Sequence, residues 1–220
     1  FKRDVGLFMA VMIGIGAMMG PGIFALPSEV AGSAGPLGIL AYLFMGILTL
    51  FTAFSYSELG AAIPIAGGGY SFTSRTLPRP VAFLTGWFFW IGNTLACALY
   101  AVIFALTIKA YFFPEISVIV VIVLTTLVFT ASNFIGQAEA LKFITVMNII
   151  ELIILIGVGI LGAFHVEPAN LKPFTPMGLD PLLPTMGLIY ISYVGFDLIT
   201  VAAEEIVEPA KNIPRAIFIT

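Results

Sequence analysis

Three runs without a charged residue, 37–57, 81–108 and 116–134, each come to about the 20 residues, or more, that a helix needs to cross roughly 30 Å of hydrocarbon. Two further runs, 143–164 and 182–203, are interrupted only by Glu151 and Asp197. With the apolar opening segment they give six spans. Of the 220 residues, 60% are hydrophobic and 10% charged, more apolar surface than a soluble domain of this size can hide. The chain therefore reads as an all-α polytopic membrane protein.

Lys2 and Arg3 precede the first span as they would precede a secretory signal, but the apolar stretch is too long and lacks a cleavage pattern, so it is retained. The single cysteine, Cys97, lies inside the third span and supports neither a disulfide framework nor a thiolate cluster. Positive residues are held on the cytoplasmic side. With the N-terminus inside, Lys2, Arg3, Arg75, Arg79, Lys142, Lys211 and Arg215 fall on that side, against Lys109 and Lys172 outside. The chain opens on Phe1 and ends in an apolar run at Ile217, Phe218 and Ile219, as a fragment of a longer protein would.

Two spans are interrupted. In the first, residues 5–17 and 23–31 read as half-helices around Met18, Met19, Gly20, Pro21 and Gly22, where a proline between two glycines opposes continuous helix. In the sixth, Tyr193, Val194, Gly195, Phe196 and Asp197 place a glycine and an acid near the midpoint. Unpaired backbone survives at membrane depth only where it is buried or lines a polar cavity. Two breaks five spans apart fit a pair of inverted five-helix repeats around one cavity. Half-helix N-termini there offer N–H groups to an anion and C-termini offer carbonyls to a cation, which suits a zwitterion. Glycines also permit close helix packing, a sufficient account of Gly14 and one open to Gly46 and Gly92.

Between the second and third spans, residues 61–80 are too polar and too broken to cross and read as an interfacial or re-entrant piece. Short links at 111–115 and 136–139 make the third, fourth and fifth spans antiparallel neighbours. The loop 165–184 carries His165, Glu167 and Asp180, read as solvated residues rather than a metal site.

Three ordered blocks resemble prokaryotic amino acid permeases of the amino acid/polyamine/organocation superfamily. The first is Gly16-Ala17-Met18-Met19-Gly20-Pro21-Gly22-Ile23-Phe24; the second is Glu58-Leu59 with Ile63-Pro64 and Gly67-Gly68. The third is Gly195-Phe196-Asp197, followed by Ala203-Glu204-Glu205, Pro209 and Asn212-Ile213-Pro214-Arg215. The resemblance implies a leucine-transporter-like 5+5 inverted-repeat fold. Residues 1–220 would then be part of one permease domain, with the first five-helix repeat at about 5–164, the sixth span at about 182–208 and the seventh starting near 215–220.

The resemblance also implies where a substrate sits. Its carboxylate would meet backbone N–H groups at Gly20, Gly22 and Ile23, and its amine the carbonyls of Met18, Ile191 and Val194, beside Gly195. Pro21 departs from the serine or threonine common at that position and has no N–H to donate. Phe196 would be an aromatic wall or gate, or ordinary packing. Trp90-Ile91-Gly92-Asn93 resembles the same segment of arginine/agmatine exchangers, which makes Asn93 a candidate substrate contact or a buried amide bridging two helices.

Charge at membrane depth is costly and marks an ion path or a paired site. Asp197 corresponds to an acid linked in some members of the family to proton-dependent transport; a fixed hydrogen bond or ion pair is the alternative. Glu151 corresponds to a fifth-span position that is lysine in some proton-coupled members, and it reverses that charge. Glu204, Glu205 and Glu208 lie near the inner mouth. The expected function is secondary active transport of an amino acid or related amine, coupled to protons, to sodium or to exchange. A polytopic membrane enzyme, or a channel or sensor of the same fold, is the alternative. An intramembrane enzyme would need a nucleophile and base or a metal cluster, and the one histidine, His165, lies in a loop. No phosphate-binding loop is present in the sequence. The implied partners are a small molecule, a coupling ion and the lipid bilayer, with no cofactor, metal or nucleic acid.

Overall fold

Apolar helices follow one another along the chain, and in the computed structural model, which describes residues 3–132 and 137–220, no β-strand forms among the described residues. The chain divides into two compact units, Phe1–Gly68 with Ile144–Thr220, and Gly69–Phe143, and each is described by itself.

The first unit opens with α1 (Leu7–Met18) and α2 (Pro21–Ala34), then a 3-10 turn (Gly35–Leu37) and α3 (Gly38–Ala62). It resumes within α7 (Gln137–Ala163) and continues through α8 (Leu182–Ile189), a 3-10 turn (Tyr190–Ser192), α9 (Leu198–Val201) and α10 (Pro209–Ile219). α8 packs on α2 and α3 through Val30, Ala41, Met186 and Ile189, with Tyr42, Met45 and Leu182 alongside. α10 packs on α1 and α3: Ile213 sits over Gly60, and the rings of Phe54 and Phe218 are 5.0 Å apart. Hydroxyls within these apolar helices fold back on their own backbone, as Thr49 and Ser55 do on the carbonyls of Met45 and Phe51. That satisfies them without water.

The first helix break is shorter than the sequence led one to expect. Only Met19 and Gly20 lie outside helix, because Pro21 serves as the first residue of α2, where no N–H is required and a fixed φ is preorganised. Gly22 and Ile23 are therefore helical. The expected link at 136–139 is likewise mostly helix: Gln137, Ala138 and Glu139 open α7, while Gly136 lies outside the described residues, as do Lys2 and Phe134. In the 165–184 loop, α8 begins at Leu182, so Pro184 stands in a first helical turn. His165 Nδ1 lies 2.8 Å from the Leu161 carbonyl at the end of α7.

A parallel backbone bridge closes the other end of the unit. The Val5 N–H donates to the Glu205 carbonyl (3.0 Å) and the Val207 N–H donates to the Val5 carbonyl (2.9 Å), pairing buried Val5 with buried Ile206. Beyond it, Asn212 Nδ2 donates to the Val207 carbonyl at 2.5 Å, and Lys211 and Glu208 form an exposed pair at 3.4 Å. Glu208 thus pairs within the first turn of α10.

The second unit holds α4 (Gly68–Thr76), α5 (Arg79–Tyr111) and α6 (Val118–Ser132), with α5 and α6 packed together. α4 is too short to cross a bilayer. Tyr70 covers Gly86, and Phe83, Trp87 and Trp90 recur at helical spacing, so that an aromatic groove forms along α5, with Phe83 stacked on Trp87 at 6.4 Å.

Among the described residues, three helical stretches are long and apolar enough to cross a membrane: 7–62, 79–111 and 141–163. The first, with 56 residues, would extend about 80 Å at 1.5 Å per residue, well beyond one hydrocarbon core. It bends at Met19–Gly20 and at Gly35, where φ is +59°. Side chains such as Phe51, Phe88, Phe129 and Ile153 are more than half exposed, which only a lipid or protein surround can accommodate. The chain is an integral membrane protein.

Candidate site at the two helix breaks

α1 ends because Met19 turns out of helix, its N–H donating to the Ile15 carbonyl at 2.7 Å. The last carbonyls of α1 then have no helical acceptor role to fill. Gly20 is extended and caps α2, whose Ile23 N–H donates to the Gly20 carbonyl at 3.2 Å. One short segment thus presents a helix C-terminus and a helix N-terminus.

The second break is built differently. α8 tightens into the 3-10 turn Tyr190–Ser192, the Tyr193 N–H donates to the Tyr190 carbonyl, and the chain reverses at Gly195, where φ is +137°. That conformation is open to glycine and strained for other residues. The Gly195 N–H donates to Asp197 Oδ1 at 3.1 Å, and the Gly195 carbonyl accepts from the Leu198 N–H at 3.0 Å. Tyr193 braces the segment by donating its hydroxyl to the Tyr42 carbonyl on α3 at 2.8 Å.

The two breaks touch through their backbones. A methyl group at Gly195 would stand 2.6 Å from the Ala17 carbonyl carbon and 2.7 Å from the Met18 nitrogen. A methyl at Gly22 would stand 2.9 Å from Ser192 Oγ and 3.6 Å from the Ile191 side chain. Met18, Gly22, Ile191 and Gly195 are thereby drawn to one place. Gly20 and Ile23 flank it on the first break, with Ile23 half-buried, whereas Val194 reaches the surface. Phe196 is buried edge-on against Tyr56 of α3, ring centres 6.0 Å apart. Asn93 belongs to the other compact unit, and its Nδ2 donates to the Phe89 carbonyl of its own helix at 2.8 Å.

Of the acids, Asp197 is half-buried and tied to Gly195 as above. Glu151, on α7, is half-buried one turn beyond Asn148. Asn148, which sequence reasoning passed over, is buried and donates from Nδ2 to the Met12 carbonyl of α1 at 2.7 Å, lying directly on Gly16. The signal available was an amide inside an apolar span, one helical turn from Glu151. Gly14 packs beneath Ile199 and Thr220, Gly46 faces Tyr193, and Gly92 has no close neighbour among the described residues. The aromatic groove of α5 and Ser192 were also missed; the groove was legible as the spacing of Phe83, Trp87 and Trp90.

Chemically, the junction offers backbone donors from a helix N-terminus and backbone acceptors from a helix C-terminus within one partly buried neighbourhood. It supplies no covalent machinery, only polarity of both signs.

The sequence model of the amino acid permease family matches residues 5–220. The chain is 29% identical over 236 residues to a branched-chain amino acid permease of Bacillus subtilis (strain 168), covering 98% of this chain and 50% of that protein. It is 28% identical to a methylthioribose transporter of the same organism, covering 98% and 50% of the two chains. It is 30% identical to the amino-acid permease RocE, also of that organism, covering 94% and 47%. The chain spans about half the length of these relatives. A match across nearly all of its residues, through both helix breaks, settles the family: the chain belongs to the amino acid permeases.

Proposed function

We propose that the intact protein is a secondary active transporter that moves an amino acid or related amine across the plasma membrane by alternating access, built on two inverted five-helix repeats. In this reading the chain contributes six membrane spans with its N-terminus in the cytoplasm. The close backbone approach of Gly195 to Ala17 and Met18 is the observation that supports the proposal, because it brings the two helix breaks together. The substrate carboxylate is held at Gly20, Gly22 and Ile23, and the amine at the carbonyls of Met18, Ile191 and Val194. Gly195 allows the close approach, and Phe196 walls the pocket. Asp197 and Glu151 link transport to a proton or sodium gradient, or to exchange. The names of the relatives, permeases of amino acids and a transporter of methylthioribose, support a small polar substrate. Uptake by the full-length protein in liposomes, across a labelled panel of amino acids and amines, tests the reading. Accumulation of at least one is expected, and accumulation of none by folded protein would refute it.

A further inference from the structure

Two arginines stand at the mouth of the aromatic groove in the second unit. Arg75 lies in the last turn of α4 and Arg79 opens α5; both are exposed, and neither forms an ion pair or a side-chain hydrogen bond among the described residues. No Asp or Glu occurs in the sequence between Glu58 and Glu115, so nothing along that stretch balances their charge. Arg79, Phe83 and Trp87 follow one another at intervals of four, with Trp90 a turn further, which places them along one face of α5. Tyr70 of α4 closes over Gly86, where a methyl group would stand 2.8 Å from its ring. The result is an open cavity of about 300 Å³ lined by Tyr70, Phe83, Gly86, Trp87 and Trp90, the size of a small ligand pocket.

The length of α5 sets the depth of this cavity. Arg79 and Lys109 bracket an uncharged run and stand 30 residues apart, about 45 Å at 1.5 Å per residue, which is the thickness of a bilayer with its headgroup layers. Arg79 therefore falls in one headgroup layer, Phe83 one turn deeper at the interface, and Trp87 and Trp90 in the outer hydrocarbon. A groove that runs from arginines at headgroup depth to aromatic rings at acyl depth matches a phospholipid along its length. Aromatic faces alone would also suit a cation, but the two arginines oppose one. They favour a headgroup of net negative charge over a zwitterionic one.

We propose that this groove is a docking site for an anionic phospholipid, its phosphate held by Arg75 and Arg79 and its acyl chain laid along Phe83, Trp87 and Trp90 beside Tyr70. The proposal stands on the membrane setting of the chain and is independent of what the protein transports.

The test places full-length protein in phosphatidylcholine vesicles that contain a rising fraction of brominated lipid, either phosphatidylglycerol or phosphatidylcholine with the same acyl chains. Bromine quenches tryptophan on contact, and the difference between wild type and the Trp87→Phe/Trp90→Phe variant isolates the two rings of the groove. Half-maximal quenching of these rings is expected at an at least tenfold lower fraction of phosphatidylglycerol than of phosphatidylcholine, because each arginine at a membrane surface contributes about fivefold. In Arg75→Gln/Arg79→Gln the preference should fall to within about twofold, whereas Arg75→Lys/Arg79→Lys, which keeps the charge, should retain it. Equal quenching by the two lipids, or a preference that survives in the glutamine variant, would overturn the proposal in favour of ordinary lipid contact. Loss of the preference in the lysine variant as well would assign the arginines a structural role and overturn it. Absence of quenching of these rings by either lipid would overturn it in favour of a protein segment or a second copy of the chain covering the groove.

Discussion

Gly195 approaches Ala17 so closely that a methyl group on Gly195 would stand 2.6 Å from the Ala17 carbonyl carbon. Backbone lies against backbone there, and the φ of +137° at Gly195 adds a conformational cost for any other residue. Gly195→Ala should therefore lose about 1–3 kcal/mol from the dihedral alone, with steric displacement of α1 in addition. The expected result is a lower melting temperature and loss of uptake, read by thermal unfolding in detergent and by flux in liposomes. An alanine variant with wild-type values in both would separate the two breaks.

Asn148 fastens α7 to α1 through the Met12 carbonyl, over Gly16. Asn148→Ala should cost about 1 kcal/mol, the net value of one hydrogen bond. Gly16→Ala should cost a comparable amount by pushing the amide away. Because both changes break the same contact, the double variant should be less destabilised than the sum of the two. A double-mutant cycle with a coupling energy near zero would argue against the tie.

The bridge between Val5 and Ile206 depends on the Val207 N–H. Val207→Pro removes that donor while leaving its carbonyl available to Asn212. Hydrogen exchange in the peptide containing Val5 should accelerate in the variant; an unchanged rate would show that the N-terminal segment is held by side-chain packing instead.

Asp197→Asn keeps an oxygen to accept the Gly195 N–H, so the second break should stay folded while its charge is lost. If Asp197 carries the coupling ion, uptake in this variant should no longer respond to the imposed gradient, with Glu151→Gln measured in parallel. Unchanged gradient dependence in both would remove these acids from the coupling.

The long apolar runs were enough to read a helical membrane protein, because hydrocarbon demands uninterrupted backbone pairing over a fixed length. Gly20-Pro21-Gly22 and Gly195 likewise marked the two breaks. The extent of the first break was not legible, since proline disrupts a helix interior but is at home at a helix start, and local composition does not say which applies to Pro21. The tie from Asn148 to Met12, the bridge from Val5 to Ile206 and the seat of Ser192 on Gly22 were hidden for another reason. They join residues far apart in sequence, and helices that are apolar on every side carry no polar stripe to show which face packs on which neighbour.

Transport itself is tested most directly by reconstituting the full-length protein in liposomes and following labelled amino acids and amines with and without proton and sodium gradients. The account predicts that at least one compound accumulates, that a gradient or a counter-substrate drives it, and that Gly195→Ala abolishes it. No accumulation of any compound by protein that is demonstrably folded would contradict the account.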